Sequence, residues 1–331
     1  MLEFGLALVT TAVVMVPLRA VLRRHRVVDV PNARSSHAAV TPRGGGVALL
    51  VGVAVGVASA IVVRPPESAS PDPSVVSAVA VGVVLFGVLG LVDDLSDVDA
   101  RVRLAVQALL ATGVATTVAV ADSSPWAVGL VAVAGSIWLV SYVNAFNFMD
   151  GINAISAVST LLAACWFAGL AARASDPVVY AASWALAGAS VGFLPWNAPR
   201  SRIFLGDVGS YGVGALIGSL ALLTALREGN VWPALAPLAI YLVDTGGTLV
   251  RRALRGDRLL EAHRSHVYQR LLDLGLSHPA VTGLVALAGL LICLATLVLP
   301  TALAVLFAVL TGALYLALPR LLGLRTHGMA L

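Results

Sequence analysis

The sequence predicts an all-α polytopic membrane protein with about 11 (10–11) transmembrane helices. Apolar residues make up 59% of the 331 residues and charged residues only 11%, whereas soluble domains carry about 25% charged residues. The mean hydropathy is +0.94. Since a spanning helix needs about 20 apolar residues, eleven spans are predicted, at residues 2–22, 44–63, 75–92, 103–121, 126–143, 154–172, 178–194, 208–226, 231–250, 280–299 and 301–319.

The placement of arginine predicts the orientation of these spans. All 21 basic residues are arginine. With the N-terminus outside and the C-terminus cytoplasmic, only Arg64, Arg173 and Arg227 lie outside, which matches the usual excess of basic residues in cytoplasmic loops. The polar motifs fall on the cytoplasmic side too, so we expect the active site at that face. We interpret residues 1–331 as a single integral-membrane domain, with residues 251–279 as its longest cytoplasmic loop.

The first cytoplasmic loop ends in a glycine run, Gly44 to Gly46, with Gly45 at its centre. Arg34, His37 and Arg43 precede it, and a glycine-rich helix start beside basic groups suits an anion or a phosphate. A flexible turn whose basic residues only set the topology is the alternative. The sequence leaves both interpretations open.

Two adjacent carboxylates, Asp93 and Asp94, end the third apolar run. An aspartate at the centre of a membrane helix costs roughly 2.5–3.5 kcal/mol, and adjacent carboxylates repel each other unless a cation or a shared proton relieves them. Oxygen ligands favour a hard cation, here magnesium with a phosphate. Asp97 and Asp99 fit a solvated helix edge instead, where Asp97 could pair with Arg101.

Asn144, Asn147 and Asp150 recur at every third position, so on a helix they lie along one face. They could line a ligand site, or they could form a structural hydrogen-bond stripe between helices. Gly151 indicates a break in the helix that exposes backbone.

Asp207 lies between glycines at the start of a span. It could approach a metal without crowding, or it could cap the following helix. His263 and His266 are three residues apart, near Arg264 and Arg270. A zinc pair there lacks convincing further ligands, and a nucleotide phosphate or polar head group suits the segment better. Asp244 is a further polar residue, deep in its own span.

Taken in order, these segments resemble the polyprenyl-phosphate N-acetylhexosamine-1-phosphate transferases, which are glycosyltransferases of family 4. Five motifs carry the resemblance over essentially the whole chain, and the wording of "RSSH" and "PRGGG" is most similar to the branch that initiates O-antigen or exopolysaccharide repeats. The matching positions are Pro42 to Gly46; Asp93, Asp94, Arg103 and Gln107; Asn144, Asn147, Asp150 and Gly151; Asn197, Pro199, Phe204, Gly206, Asp207, Gly209 and Ser210; and His263 and His266.

The resemblance implies transfer of a HexNAc-1-phosphate from a UDP-sugar to undecaprenyl phosphate in the bacterial inner membrane, with UMP as the second product. It implies Mg²⁺, for which Mn²⁺ could substitute, and it makes a homodimer plausible. Asp207 and Asp94 would hold the metal, while Asp93 would deprotonate or align the lipid phosphate. The implied substrate-binding residues are Asn144, Asn147, Asp150, Asn197, Arg103, His263, His266, Arg43 and Gly45.

The chain departs from the family pattern at three places. Arg103 stands where lysine is usual, Asn153 where many members have a second aspartate, and the histidine motif is sparse. All three lie on the nucleotide-sugar side, so the sequence does not identify the sugar.

Two other classes fit less well. A secondary transporter would scatter carboxylates over the membrane depth, often with repeat symmetry, whereas most of them here lie at one face. A CDP-alcohol phosphotransferase would carry a compact aspartate motif, whereas these motifs extend from Asp93 to His263.

Overall fold

The computed structural model describes residues 1–31, 39–63, 72–259, 261 and 263–328, the last five by their backbone alone. Arg34 and His37 therefore lie outside the described residues. Thirteen α-helices occur in the described part of the chain: α1 (Leu2–Arg24), α2 (Gly46–Val63), α3 (Pro73–Ser96), α4 (Ala100–Asp122), α5 (Val128–Met149), α6 (Ile155–Ala174), α7 (Pro177–Asn197), α8 (Gly206–Glu228), α9 (Val231–Leu235), α10 (Ala239–Leu254), α11 (Val267–Asp273), α12 (His278–Val298) and α13 (Thr301–Gly328).

The predicted all-helical, multi-pass architecture is confirmed. Within the described residues, eleven helical segments are long and apolar enough to cross a membrane, and each coincides with a predicted span. One of them, Val231–Leu254, is interrupted by a single 3₁₀ turn at Ala236–Leu238 between α9 and α10. The orientation of the spans stays a prediction.

Two short elements lie between the spans. Val28–Asp29 (β1) pairs antiparallel with Thr41–Pro42 (β2), within the predicted first cytoplasmic loop. The connection between α10 and α12 holds the short α11. Hydrogen bonds between backbone groups thus organise the longest polar connections.

Polar residues mark where several helices begin. The Asp72 side chain accepts a hydrogen bond from the Ser74 N–H at the start of α3, and Asp176 accepts from Val178 and Val179 at the start of α7. Asp99 caps α4 in the same way, because a side-chain oxygen satisfies an N–H that has no partner within the helix. Asp97 ends α3 in the left-handed conformation and is exposed. The solvated helix edge is confirmed, but no pair between Asp97 and Arg101 forms.

Helix α8 is the core of the bundle and is buried along almost its whole length. Small residues allow neighbouring helices to approach it closely, as is usual where membrane helices pack. A Cβ on Gly209 would lie 2.8 Å from the Gly46 Cα, and one on Gly90 would lie 2.6 Å from the Val208 nitrogen. The C-terminal end of α3 therefore sits directly against the N-terminal end of α8.

Candidate active site

The contact between α3 and α8 brings together three carboxylates, Asp93, Asp94 and Asp207, which we call the carboxylate cluster. Asp94 Oδ2 accepts a hydrogen bond from the Val208 N–H at 3.1 Å, and the Asp207 carboxyl interacts with both other carboxyls. Gly206, at φ +76°, makes this approach possible, because a Cβ there would lie 2.7 Å from Asp94 Oδ2. All three aspartates predicted as catalytic or metal-binding thus meet in one place.

Asp93 is held by three donors and is buried. Its Oδ2 accepts from Arg103 Nη1 at 2.5 Å and from the Tyr211 hydroxyl at 3.0 Å, while its Oδ1 accepts from the Val98 N–H at 2.9 Å. An ion-paired carboxylate is a weaker base than a free one. This environment favours alignment over proton abstraction as the role of Asp93.

Asp94 pairs with the first loop. Arg43 Nε lies 3.6 Å from Asp94 Oδ1, and Arg43 Nη2 donates to the Asp94 main-chain oxygen. The Asp94 carboxylate also accepts a hydrogen bond from the Val208 N–H, in the first turn of α8. The sequence offered Asp207 as the possible cap of this helix, and that interpretation is wrong, since Asp94 supplies the cap.

The glycine run before α2 has a packing role. The N–H groups of Gly44 and Gly45 donate to the Phe204 carbonyl at 3.2 and 2.8 Å, and the Gly46 N–H donates to the Leu205 carbonyl at 2.8 Å. A Cβ on Gly45 would also meet Phe193 at 2.8 Å. The predicted phosphate cradle built from these amides is therefore not available in this structure, because all three donors are already satisfied by the protein.

The Asp207 carboxylate accepts a hydrogen bond from a side-chain amide and not from an arginine. Asn147 Nδ2 donates to Asp207 Oδ1 at 2.7 Å and to Ser210 Oγ at 2.8 Å. Among the described residues, no salt bridge to Asp207 forms. Asn147 therefore orients the carboxylate that the sequence assigns to the metal.

The carboxylate cluster fits a divalent cation by its charge and donor chemistry. Arg43 pairs with Asp94, and Arg103 pairs with Asp93. The third carboxylate of the cluster has no arginine partner, so three formal negative charges face two positive ones. No group of three or more acidic, histidine or cysteine side chains in the described part of the chain is arranged to hold a metal by itself. Mg²⁺ is commonly bound by one or two carboxylates together with water and substrate phosphates. Asp207 and Asp94 fit that mode of binding.

The asparagine stripe joins helices as well as lining the site. Asn144 Nδ2 donates to Gln107 Oε1 of α4 at 2.6 Å and to the Val140 carbonyl at 2.8 Å. Asn147 links α5 to α8 through Asp207 and Ser210. The structural stripe that the sequence left open is thus formed, and it positions one of the site carboxylates.

Asp150 follows the end of α5, and the break expected at Gly151 is confirmed. Burial raises the pKa of the Asp150 carboxyl to about 7. The Tyr268 hydroxyl lies against Gly151, where a Cβ would meet the Tyr268 Cζ at 2.9 Å, and it donates to the Phe148 carbonyl. The break therefore joins the site to α11.

Asn197 anchors the loop before α8. Its Oδ1 accepts from the Ala154 N–H at 2.6 Å, and its Nδ2 donates to Ser201 Oγ and the Ile203 carbonyl at 2.9 and 3.1 Å. The side chain is buried. A substrate contact by Asn197, as predicted, would require one of these bonds to break.

His263 and His266 lie just before α11, so they are not on a helix face, but their rings are 5.0 Å apart. Both rings lie near Phe148 at the end of α5. Burial and the neighbouring His266 lower the pKa of the His263 imidazole to about 4, so it is neutral at pH 7. The Ser265 hydroxyl lies 3.0 Å from His263 Nδ1.

Asp244 holds residues 263–266, which we call the histidine segment, in place. It is fully buried, and its carboxylate accepts from the Val267 and Tyr268 N–H groups at 2.9 and 3.2 Å and from the Tyr315 hydroxyl at 2.7 Å. His266 Nδ1 lies 3.1 Å from Asp244 Oδ1. The sequence signal for this residue was only a carboxylate inside an apolar span, and its partners were not foreseen.

Comparison with known proteins places these motifs in one family. The sequence profile of glycosyl transferase family 4 matches residues 76–225. The chain is 33% identical over 298 residues to a decaprenyl-phosphate N-acetylglucosaminephosphotransferase of Mycolicibacterium smegmatis, covering 79% of this chain and 72% of the relative. It is 26% identical over 310 residues to a probable undecaprenyl-phosphate N-acetylglucosaminyl 1-phosphate transferase of Bacillus subtilis, covering 90% and 84%.

A third relative is the undecaprenyl-phosphate alpha-N-acetylglucosaminyl 1-phosphate transferase of Thermotoga maritima, 29% identical over 245 residues that cover 73% of this chain and 72% of the relative. The matches extend well beyond the residues of the family profile, and the profile itself contains Asp93, Asp94, Asn144, Asn147, Asp150 and Asp207. The chain belongs to glycosyl transferase family 4 and is a multi-pass membrane enzyme of the polyprenyl-phosphate sugar-1-phosphate transferase class.

Proposed function

We propose that the enzyme transfers HexNAc-1-phosphate from a UDP-HexNAc to undecaprenyl phosphate. An oxygen of the lipid phosphate forms a bond to the β-phosphorus of the UDP-sugar, and the bond from that phosphorus to the bridging oxygen breaks. UMP leaves with the bridging oxygen, and undecaprenyl-diphosphate-HexNAc is the other product. The names of the relatives, which specify N-acetylglucosamine and polyprenyl phosphates, support this choice of substrates.

The carboxylate cluster at the α3–α8 contact is the observation that carries the proposal. Phosphoryl transfer depends mainly on positioning and on neutralising charge. The cluster combines an unpaired negative charge, which suits a divalent cation, with Arg43 and Arg103, which suit phosphate oxygens. When bound at Asp207 and Asp94, Mg²⁺ would neutralise charge on the diphosphate.

The chain's own residues fix the geometry of this reaction. Asn147 orients Asp207, and Asp94 is held by the N-terminus of α8. Asp93 holds Arg103 at 2.5 Å, so that the guanidinium and not the carboxylate is presented to the incoming phosphate. Asp93 acts by alignment in this scheme.

The donor's uridine and sugar fit the region between the end of α5 and the histidine segment. Asp150 and His263 are polar side chains of this region, and the neutral His263 imidazole can donate or accept a hydrogen bond. Asn144 lies earlier on α5, where its amide already donates to Gln107 and to the Val140 carbonyl. Asn197 supports this region through the Ala154 N–H. Of the residues that vary from the family pattern, Arg103 lies at the carboxylate cluster, and Asn153 follows the break at Gly151 and donates to the Pro199 carbonyl.

The proposal includes the orientation predicted from arginine. The site then faces the cytoplasm of a bacterial plasma membrane, where UDP-sugars are available, and residues 1–331 act as one transferase domain. The segments "RSSH" and "PRGGG" favour initiation of an O-antigen or exopolysaccharide repeat as the pathway.

A panel of sugar nucleotides tests the reaction. Purified full-length enzyme with undecaprenyl phosphate and Mg²⁺ is supplied with UDP-GlcNAc, UDP-GalNAc, UDP-FucNAc or UDP-QuiNAc, and with UDP-glucose as the control. We expect UMP release and a lipid-linked sugar diphosphate from at least one of the four HexNAc donors. Release of UDP instead of UMP would show sugar transfer without phosphate and would overturn the proposal.

A further inference from the structure

A second polar region lies on the other side of the histidine segment. It is a cavity of about 310 Å³ between the end of α10, the segment before α11, α11 itself and α13. Its lining is almost entirely cationic: Arg251, Arg255, Arg264, Ser265, Arg270 and Arg320. None of these residues belongs to the candidate active site.

The five guanidinium groups have little acidic compensation. Arg264 pairs with Asp273 at 2.9 Å, and Arg251 Nη2 donates to Thr248 Oγ1 and the Ser265 carbonyl at 2.9 and 3.1 Å. The remaining three, Arg255, Arg270 and Arg320, form no ion pair with any residue that the structure describes. Since like charges held close together repel, the arrangement is suited to a bound anion with more than one negative charge.

The histidine segment separates this cavity from the active site. The rings of His263 and His266 lie near Phe148 of α5, whereas Arg264 and Ser265, between them in sequence, line the cavity. The lining contains neither histidine and none of the three aspartates of the carboxylate cluster. The cavity therefore adjoins the substrate site, with the Ser265 hydroxyl 3.0 Å from His263 Nδ1 between the two regions.

The surface beside the cavity is apolar. Val250 and Leu254, next to Arg251 and Arg255 on α10, are 60% and 84% exposed, and Leu321, next to Arg320 on α13, is 47% exposed. Both helices belong to candidate membrane spans. A ligand of this region would meet guanidinium groups at one end and lipid-facing side chains along its length.

We propose that this cavity binds the headgroup of an anionic phospholipid that carries two phosphates. Arginine forks match phosphate oxygens in a bidentate way, and basic pockets between membrane helices bind such headgroups. A soluble diphosphate shares the headgroup chemistry, but it would leave the exposed apolar residues of α10 and α13 without a role. The bound lipid would brace α10, α11 and α13 and thereby the histidine segment.

Lipid binding to the purified full-length enzyme in phosphatidylcholine nanodiscs tests the proposal. Cardiolipin, a phospholipid with two phosphates, is titrated, and its affinity is compared between the wild type and the double variant R255Q/R320Q. Both side chains are exposed and form no ion pair, so their replacement leaves the helices intact. Each arginine near the surface contributes about 1 kcal/mol to such binding, so we expect the double variant to bind about thirtyfold more weakly.

The double variant R23Q/R24Q, at the exposed end of α1, is the matched control and should bind cardiolipin as the wild type does. Equal affinity in R255Q/R320Q, or equal weakening in the control, would overturn the proposal. Displacement of cardiolipin by millimolar inorganic pyrophosphate or UDP would overturn it in favour of a soluble ligand. Because binding is read without turnover, failure here is distinguishable from failure of the proposed transfer reaction.

Discussion

The carboxylate cluster and Asp244 show two ways in which this protein buries acidic side chains. Asp244 accepts hydrogen bonds from two backbone N–H groups and one tyrosine, with His266 also in reach. Asp207 has one amide partner, and two other carboxyls lie against it. Asp244 is fully buried, whereas Asp207 is half-buried.

The difference lies in what remains for a ligand. The protein's own donors occupy both oxygens of Asp244, so this carboxylate acts as a structural anchor for the histidine segment. In the carboxylate cluster, three carboxylates share two arginines, and the excess charge is relieved only by an additional cation or by a shared proton. The position of an aspartate within a span therefore does not show whether it serves structure or ligand binding, but the number of hydrogen-bond donors around it does.

Asp207→Asn should have the largest effect. Asparagine can still accept the hydrogen bond from Asn147, but it lacks the charge for a cation, so we expect UMP release to fall by about 10²–10³-fold or more. A Mg²⁺ titration of the residual activity should show weakened metal dependence.

The matched control is Asp97→Asn, the same change at an exposed left-handed helix end that asparagine tolerates. It should behave as the wild type does. A wild-type metal titration in Asp207→Asn would remove this residue as a ligand and break the comparison.

The Asp93–Arg103 pair sharpens the comparison within the cluster. We expect Asp93→Asn and Arg103→Gln each to lower turnover by about 10²-fold, and the double variant to lose little more, because residues that act as a unit are non-additive. Arg103→Lys should recover part of the activity, since it keeps the charge. Wild-type turnover by Asp93→Asn on an accepted substrate would exclude both alignment and base catalysis by this residue.

Asp244→Asn should act through folding and binding rather than chemistry. Removing one acceptor from buried donors costs about 1–3 kcal/mol, so the Tm in detergent should fall. The KM for the UDP-sugar should rise by more than kcat falls, because the histidine segment loses its anchor. Asp257→Asn, at an exposed site in the same connection, is the control. An unchanged Tm together with an unchanged KM would contradict the anchoring role.

Asp150 lies between the two regions and should have the smallest effect on stability, which should be visible in the pH dependence of the Tm. Its pKa in the folded state, about 7, is above the ordinary value of 3.8. Its contribution to stability is therefore fully present below about pH 4 and is lost as pH rises through 7.

In Asp150→Asn this loss disappears, so the Tm of the variant relative to the wild type should increase by about 2–4 °C between pH 5 and pH 8. His263 has the opposite sign: with a pKa near 4 in the folded state, its contribution is present above its ordinary value of 6.5 and is lost as pH falls toward 4. His263→Gln is thus the control for the direction of the shift. A difference in Tm that does not change with pH would show that Asp150 is not titrating in this range.

Much of the architecture was predictable from the chain because apolar length sets it. All eleven spans coincide with candidate spans of the structure, although Val128–Met149 extends six residues beyond its predicted end at 143. That extension matters, since it carries Asn144 and Asn147 into the last turns of α5. When polar residues follow an apolar run, composition does not show whether the helix continues through them or ends before them.

The chemistry of the site was predictable as a set of residues but not as a set of contacts. The motifs identified Asp93, Asp94, Asn147 and Asp207. For the amides of Gly44 to Gly46, however, the sequence left an anion site and a flexible turn open, and in the structure these amides donate to the loop before α8. A glycine run indicates only that backbones can approach closely. Which backbone fills the space depends on the whole bundle.

By itself the sequence determined the membrane-spanning helices, the family and the residues that carry its motifs, because hydrophobic length and local spacing are properties of short segments. Only the tertiary structure decided which acidic residue is an anchor and which are free for chemistry. Asp94 meets Val208 across 114 positions, and Asp244 meets Tyr315 across 71. Such pairs form where close contacts at glycines and buried hydrogen-bond donors bring together helices that are far apart in sequence. No pattern within a short segment of sequence specifies which distant helix will be the partner.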